Sequence, residues 1–207
     1  QITRKGGKSM KVIAIIISYL IGSISTAYLI VKHTKGVDIR TVGSKNAGAT
    51  NVKRIAGTGP AIAVLILDIL KGVIAVFLGR WIGGPILSLW CGVAVIIGHN
   101  WPLFFGLKGG KGTATSLGVI WSVTTWESFI ITVIGIATIA ITKHVSLGSI
   151  VVAPLFPILV TFHRKSFFYS IFAIILMFMT LFRHKENIKR ILQGKEPKLG
   201  EEKKRVR

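Results

Sequence analysis

Val12-Ile13-Ala14-Ile15-Ile16-Ile17-Ser18-Tyr19-Leu20-Ile21-Gly22-Ser23-Ile24-Ser25-Thr26-Ala27-Tyr28-Leu29-Ile30-Val31 is a run of twenty residues without one formal charge. Wound as a helix at about 1.5 Å per residue, it reaches about 30 Å, the thickness of a bilayer's hydrocarbon core. A secretory leader also places bases before an apolar run, and Gly22, Ser23 and Ser25 are small enough for a cleavage site. The apolar core of a leader spans only about 7–15 residues, however, so this run is expected to stay as a membrane helix. Residues 1–9 read as an expression scar ahead of a native start at Met10 and are left out of the fold expectation.

Six further apolar runs follow, at roughly 60–78, 85–98, 113–126, 128–142, 147–162 and 166–182, which makes seven candidate spans. Their apolar residues are continuous rather than alternating, and lipid admits only helices or closed barrels, so helices are expected. Several runs fall short of the ~20 residues of a straight crossing, which suggests tilted or incomplete spans. Pro154 and Pro157 each remove a backbone donor and should bend the sixth. Orientation follows from the bases. With seven spans, one side holds the 32–59 loop, the loop near 99–112, Lys143 and the tail from Arg183, with six, two, one and ten Lys or Arg. The other side holds Arg80, Arg164 and Lys165, plus four in the N-terminal segment. The expectation is an all-α integral membrane protein of about seven spans, with its N-terminus outside and its C-terminus cytoplasmic.

The bulk composition agrees. The chain is 51% hydrophobic over 207 residues, with a mean hydropathy of +0.64, too apolar for an ordinary soluble domain. Its net charge is +20, which in a soluble protein would suggest nucleic acid. Here the bases sit at the ends of apolar runs, so anionic lipid and phosphorylated substrates are the expected partners, with no nucleic acid. The one cysteine, Cys91, excludes an internal disulfide and reads as a small packing residue. Seven acidic residues, widely scattered, offer no hard-cation cage, so neither metal nor cofactor is expected.

Three segments carry chemistry. The first is Gly43-Ser44-Lys45-Asn46-Ala47-Gly48-Ala49-Thr50-Asn51, followed by Lys53 and Arg54, with no acidic residue among them. Hydroxyls and amides hydrogen-bond phosphate oxygens, and glycine lets the backbone approach. A polar linker would use similar residues but commonly mixes the signs of its charges. The second opens with Gly98-His99-Asn100-Trp101-Pro102 and closes with Lys108-Gly109-Gly110-Lys111-Gly112-Thr113, just before an apolar helix that Thr113 is placed to cap. Glycine-rich helix starts point backbone N–H groups at an anion. A nucleotide P-loop fails on detail, because Phe105 stands where its first glycine belongs and Gly112 follows Lys111. In the third segment, Arg183 to Glu196, the apolar Ile188, Ile191 and Leu192 share one helical face and bases spread over the rest. A helix lying on anionic lipid and a substrate site are equally open there.

Two lesser features complete the inventory. Asp68 and Lys71 lie within the second span, three residues apart, and read first as a mutual ion pair. His33-Thr34-Lys35-Gly36-Val37-Asp38 matches the His-x4-Asp spacing of a different class of glycerolipid acyltransferases, but its surroundings do not resemble that class.

Together the segments resemble the bacterial acyl-phosphate:glycerol-3-phosphate acyltransferases, the PlsY family. The stretches that carry the resemblance are 43–51, Leu67-Asp68-Ile69-Leu70-Lys71-Gly72, Gly98-His99 with Pro102 and Phe104, and 108–112. Val145-Ser146-Leu147-Gly148-Ser149 and His184, Glu186-Asn187-Ile188, Arg190 and Gly194 complete the ordered set, from about Ile13 to Glu196. Lys45 departs from the pattern, where a smaller residue such as glycine is expected.

The resemblance implies a single polytopic acyltransferase domain over 10–196 with a basic cytoplasmic tail at 197–207. The implied site faces the cytoplasm of a bacterial inner membrane. The implied reaction moves a fatty acyl group from acyl phosphate to the 1-hydroxyl of glycerol 3-phosphate, giving lysophosphatidic acid and phosphate. One assignment gives acyl phosphate to Ser44, Asn46, Thr50, Asn51 and the loop Lys108, Gly109, Gly110, Lys111, Gly112 and Thr113, with Lys111 also counted as catalytic. Arg54, His184, Asn187 and Arg190 then take glycerol 3-phosphate, the two sets are exchangeable, and Gly48 and Ser146 are counted as substrate-binding without a choice between them. His99 is the first choice of general base, since an imidazole titrates near pH ~6.5. It reads nearly as well as a group that orients the glycine loop, and the departing phosphate can itself take the proton. Ser44 as a nucleophile lacks a neighbouring acid to complete a triad. The alternative from another class is a small transporter or lipid-binding protein for anionic solutes.

Overall fold

In a computed structural model describing residues 7–200, the apolar runs fall on helices, and no strand occurs among the described residues. Of the proposed N-terminal scar, residues 1–6 lie outside the described residues, and helix α1 begins at Lys8 (Lys8–Ser23). The remaining helices are α2 (Thr26–Lys35), α3 (Ala49–Ala56), α4 (Thr58–Asn100), α5 (Thr113–Val123), α6 (Thr125–Thr142), α7 (Val145–Arg164), α8 (Phe167–Arg183) and α9 (Lys185–Leu192). A short 3-10 turn covers Leu103–Phe105. The chain divides into two compact units between Val123 and Thr124.

Four helical stretches are long and apolar enough to cross a bilayer: Lys8–Lys35, Thr58–Phe105, Thr125–Thr142 and Val145–Arg164. A fifth is formed if α8 and α9, bent by 59° at their junction, count as one span. The two runs expected at 60–78 and 85–98 share α4, which breaks its helical geometry at Gly83 and Gly84 ahead of Pro85. The left-handed φ of +79° at Gly84 is open to glycine at little cost. The expected bend at Pro154 and Pro157 leaves α7 unbroken from Val145 to Arg164. The break between the runs near 113–126 and 128–142 falls at Thr124, which brings Glu127 into the first turn of α6.

Burial on α4 runs opposite to that of a soluble helix. Ala61, Val64, Gly72, Ala75 and Gly79 face inward with Asp68 and Lys71, while Ile62, Ile66, Leu70, Ile74 and Phe77 are exposed. In water such a surface would be an aggregating patch. In lipid, small residues belong at helix contacts and bulky ones against acyl chains.

Glycine sets those contacts in the first unit. A Cβ on Gly22 would strike the Val95 carbonyl, and one on Gly98 would strike that of Tyr19, so α1 lies directly on the second half of α4. Gly72 abuts the Thr115 carbonyl and Gly118 that of Ile69, which seats α5 on the first half. In the second unit, Gly148 packs close to Gly135 between α7 and α6, and Phe156 meets Phe172 edge-on at 6.4 Å between α7 and α8. Gly118→Val should therefore lower the midpoint of thermal unfolding in detergent, by an overpacking cost on the order of 1–3 kcal/mol. Gly59→Ala, where nothing lies within 4 Å, should leave it unchanged.

Candidate active site

The 43–51 segment is a loop held by its own last residue. Gly43 and Lys45 both take left-handed φ, +60° and +57°. A glycine accepts that conformation freely and a lysine does not, which gives a reason for expecting glycine at 45 but none for the lysine found there. Asn51 is buried, accepts the Ser44 N–H on Oδ1 at 2.9 Å, and donates through Nδ2 to the carbonyls of Val42 at 3.1 Å and Ile39 at 3.3 Å. Its amide thus shapes the loop. Ser44 and Thr50 are exposed at the loop surface, and Asn46, Gly48 and Arg54 are half-buried.

Sequence reasoning passed over Arg40. Its Nε and Nη2 grip Asp38 at 2.9 and 2.6 Å, its Nη1 donates to the Phe105 carbonyl at 2.7 Å, and it lies 5.0 Å from the Tyr28 ring. The Arg40 hydrogen bond holds the Asp38 carboxyl below its ordinary range. Asp38 is therefore committed to Arg40 and not to the exposed His33, and the His-x4-Asp spacing has no counterpart in space.

The glycine loop closes on the end of α4. Gly110 N–H donates to the His99 carbonyl at 3.1 Å. A Cβ on Gly109 would strike that carbonyl, and one on Gly110 would strike His99 Nε2 and come within 2.7 Å of the Ala47 carbonyl. Glycine is thus required here by close approach, and the approach joins the loop, His99 and the 43–51 segment within one unit. Gly112, at φ +81°, accepts the Ser116 N–H at 2.7 Å. Gly112, not Thr113, therefore occupies the cap of α5, and Thr113 opens its first turn. Lys108 is exposed and Lys111 half-buried beside these N–H groups. Asn100, fully buried under Gly112, has no protein partner for either amide atom, and Thr115 Oγ1 has none.

Beneath the loop, His99 meets the charges of α4. Lys71 Nζ lies 2.7 Å from His99 Nδ1 and 2.8 Å from Asp68 Oδ1, and Thr26 donates to the same Oδ1 at 2.8 Å. The expected Asp68–Lys71 pair thus forms as part of a larger cluster. Its signal in the sequence was charge within a span; the partners lie 28 and 42 residues away and left no trace there.

In the second unit, Ser146, Asn187 and Arg190 converge on a residue that was not anticipated. Glu196 Oε1 accepts from Ser146 Oγ and Asn187 Nδ2, both at 2.6 Å, and Oε2 accepts from Arg190 Nε at 2.7 Å. Burial raises the Glu196 pKa, but these hydrogen bonds outweigh it and hold the carboxyl below its ordinary value. Buried His184 joins the same helix junction, with Nδ1 2.8 Å from the Thr180 carbonyl. A carbonyl only accepts, so Nδ1 carries a proton. Three donors gathered on one carboxylate form an anion-binding arrangement.

Residues 12–194 match the family described as glycerol-3-phosphate acyltransferase. The chain belongs to that family. A glycerol-3-phosphate acyltransferase of Thermoanaerobacter sp. (strain X514) is 47% identical over 190 residues, which cover 92% of this chain and 96% of the relative. One from Halalkalibacterium halodurans is 46% identical over 193 residues, covering 90% and 94%. Among solved structures, the glycerol 3-phosphate form of PlsY, an integral membrane glycerol 3-phosphate acyltransferase, superposes with a TM-score of 0.87 at 35% identity, covering 92% of this chain and 96% of PlsY. Its lysophosphatidic acid form gives 0.84 at 34% identity, covering 91% and 94%. The resemblance read from the motifs therefore holds, the chain is a membrane acyltransferase, and the transporter alternative is not favoured.

Two tests follow from this geometry. Gly110→Ala should reduce kcat/KM of the acyltransferase reaction at least tenfold while the protein stays folded, because the new methyl drives the loop off His99. Glu196 has a depressed folded pKa, so its anchoring is complete above the unfolded value of about 4.3 and is lost as pH falls through the folded one. Hydrogen exchange in residues 193–200 should therefore stay slow at pH 7 and accelerate below about pH 4. Glu196→Gln should show the fast exchange at pH 7.

Proposed function

We propose that the chain moves a fatty acyl group from acyl phosphate to the 1-hydroxyl of glycerol 3-phosphate. The products are lysophosphatidic acid and phosphate, and the reaction is the first acylation step of phospholipid synthesis. The observation that carries this reading is the likeness to PlsY in its glycerol 3-phosphate form over 92% of the chain. The rest supports it: each unit has one cluster suited to a phosphate, the first around the glycine loop, the second around Ser146, His184, Asn187 and Arg190.

The topology belongs to the same proposal. The seven apolar stretches cross the bacterial inner membrane, with α1 and α2 as one span and α4 as two divided at Gly83-Gly84. The N-terminus lies outside, and the C-terminus and both clusters lie on the cytoplasmic side, where most of the bases sit. Residues 10–196 act as one acyltransferase domain, residues 197–207 as a basic cytoplasmic tail, and membrane lipid surrounds the spans.

In the first cluster, Lys108, Lys111 and the N–H groups at the start of α5 neutralise the phosphate of the donor. Ser44, Asn46 and Thr50 add hydrogen bonds while Asn51 keeps the loop in shape. Arg54, grouped with the acceptor's ligands in the sequence reading, is reassigned to this cluster because α3 carries it beside the same loop. In the second, Arg190, Asn187 and Ser146 turn from Glu196 to the phosphate of the acceptor. The 1-hydroxyl oxygen attacks the acyl carbonyl carbon, the bond from that carbon to the phosphate oxygen breaks, and the hydroxyl proton passes to the departing phosphate. A phosphate with a second pKa of about 6 is basic enough for that transfer. The donors around the loop polarise the carbonyl as charge develops.

Purified protein in detergent should release phosphate from palmitoyl phosphate only when glycerol 3-phosphate is added. Release without the acceptor would indicate a phosphatase, and binding without turnover a carrier. His99→Ala should keep a measurable kcat, because the phosphate is the proton acceptor; complete loss of turnover in folded protein would return the histidine to the role of base.

A further inference from the structure

The buried charges of α4 lie outside both proposed phosphate clusters, yet they meet His99, which touches the glycine loop. We infer that Lys71, held in place by Asp68, is a positioning residue that locks His99 in the tautomer with its proton on Nε2, so that the ring offers the glycine loop a donor and not a base.

The argument is geometric. His99 Nδ1 lies 2.7 Å from Lys71 Nζ but 3.5 Å from Asp68 Oδ1. The first distance is a short hydrogen bond and the second is at the limit of one. Asp68 Oδ1 already accepts from Lys71 at 2.8 Å and from Thr26 Oγ1 at 2.8 Å. Lys71 Nζ, His99 Nδ1 and Asp68 Oδ1 thus form a triangle whose two short sides both end on Nζ. An ammonium has three donors and no acceptor, so in its contact with Nδ1 it is the donor. The proton between Nζ and Nδ1 accordingly belongs to lysine, and Nδ1 is the acceptor.

Charge balance leads to the same assignment. All three side chains are at most 7% exposed. One carboxylate and one ammonium cancel, whereas an imidazolium would set two cations beside the one carboxylate of this cluster, and a buried excess charge is costly. The neutral ring then has its single N–H on Nε2. That atom is where a Cβ on Gly110 would collide, close to the Ala47 carbonyl, so the donor points into the space between the 43–51 segment and the loop.

Lys71 is held as firmly as it holds. The chain breaks between α1 and α2 at Ile24 and Ser25, and Lys71 Nζ faces the Gly22 and Ile24 carbonyls there, at 3.4 Å each. The ammonium therefore sits among carbonyls, a carboxylate and a ring nitrogen, each of them an acceptor.

The test uses the full-length protein labelled with 15N-histidine, with His99 assigned by its disappearance in His99→Gln. At pH 7 the spectrum should show Nε2 protonated and Nδ1 bare. A protonated Nδ1, whether in the other tautomer or in an imidazolium, overturns the proposal. The kinetic arm rests on the loop's binding a phosphate, and the spectrum does not, so the two can fail separately. A glutamine amide occupies the Nε2 position and donates; an asparagine reaches only Nδ1. His99→Gln should retain at least a tenth of kcat/KM, and His99→Asn should fall about 10- to 100-fold, with His99→Ala. Glutamine no better than alanine would count against the donor role. Lys71→Met, which removes the donor, should release the tautomer, and an unchanged Nε2–H signal in folded Lys71→Met overturns the lock. Where that variant fails to fold, Lys71→Gln, which keeps a donor without the charge, should preserve the Nε2–H signal, and its loss in folded protein overturns the lock.

Discussion

An ammonium and a carboxylate buried in an apolar helix are tolerable only if every neighbour satisfies them, and Lys71 and Asp68 organise the first unit for that reason. Moving either ion out of water costs several kcal/mol, and an isolated one could not persist. The Asp68 carboxylate is met by Lys71 and by Thr26 at the start of α2. The ammonium is met by the carbonyls left open where α1 stops and by His99 at the end of α4. One pair thus ties together the break in the first span, the middle of α4 and the foot of the glycine loop. Replacing the pair with leucines would remove the desolvation cost, but it would also release the break and the histidine.

The glycines supply the complementary constraint. Backbones carrying Gly22, Gly72, Gly98 and Gly118 approach until a methyl group would collide with the facing carbonyl. That closeness is what allows a lysine on one helix to reach a broken helix end and a histidine ring on another segment. It also explains why the glycine loop needs Gly109 and Gly110, whose missing side chains make room for His99 and the Ala47 carbonyl. Flexibility is a secondary matter at these two positions.

What was legible in the sequence follows from what kind of signal each feature leaves. Apolar runs leave a local one, and so the helices were found, although α4 carries two runs past a glycine pair and the break near Thr124 shifted by a few residues. Gly-Lys loops and Ser-Asn-Thr clusters are also local. Roles set by distant partners were not legible. Asn51 has the composition of a ligand, and only the fold shows it tied to Ile39, Val42 and Ser44. Glu196 closed the basic third segment with no role of its own, and only the fold shows it holding Ser146, fifty residues away. Asn100 gave no signal at all, since an amide beside a histidine is common and its burial is a tertiary fact.

The arrangement also explains an economy in the chemistry. In the proposed reaction the acyl phosphate donor is already activated, so no nucleophile has to be prepared, and no acidic residue neighbours Ser44 in the sequence to prepare one. What the reaction needs is neutralisation of a departing phosphate and a place for the incoming hydroxyl. Under that proposal, cations and backbone N–H groups supply the first without any residue changing protonation state. A histidine whose Nδ1 is committed to a buried lysine fits that scheme, because it contributes a fixed dipole and a single proton aimed at the loop. A fixed donor stabilises charge as it appears and needs no reorganisation, whereas a base must first be free to accept. The buried ion pair, costly in itself, thus serves the reaction by keeping that donor oriented.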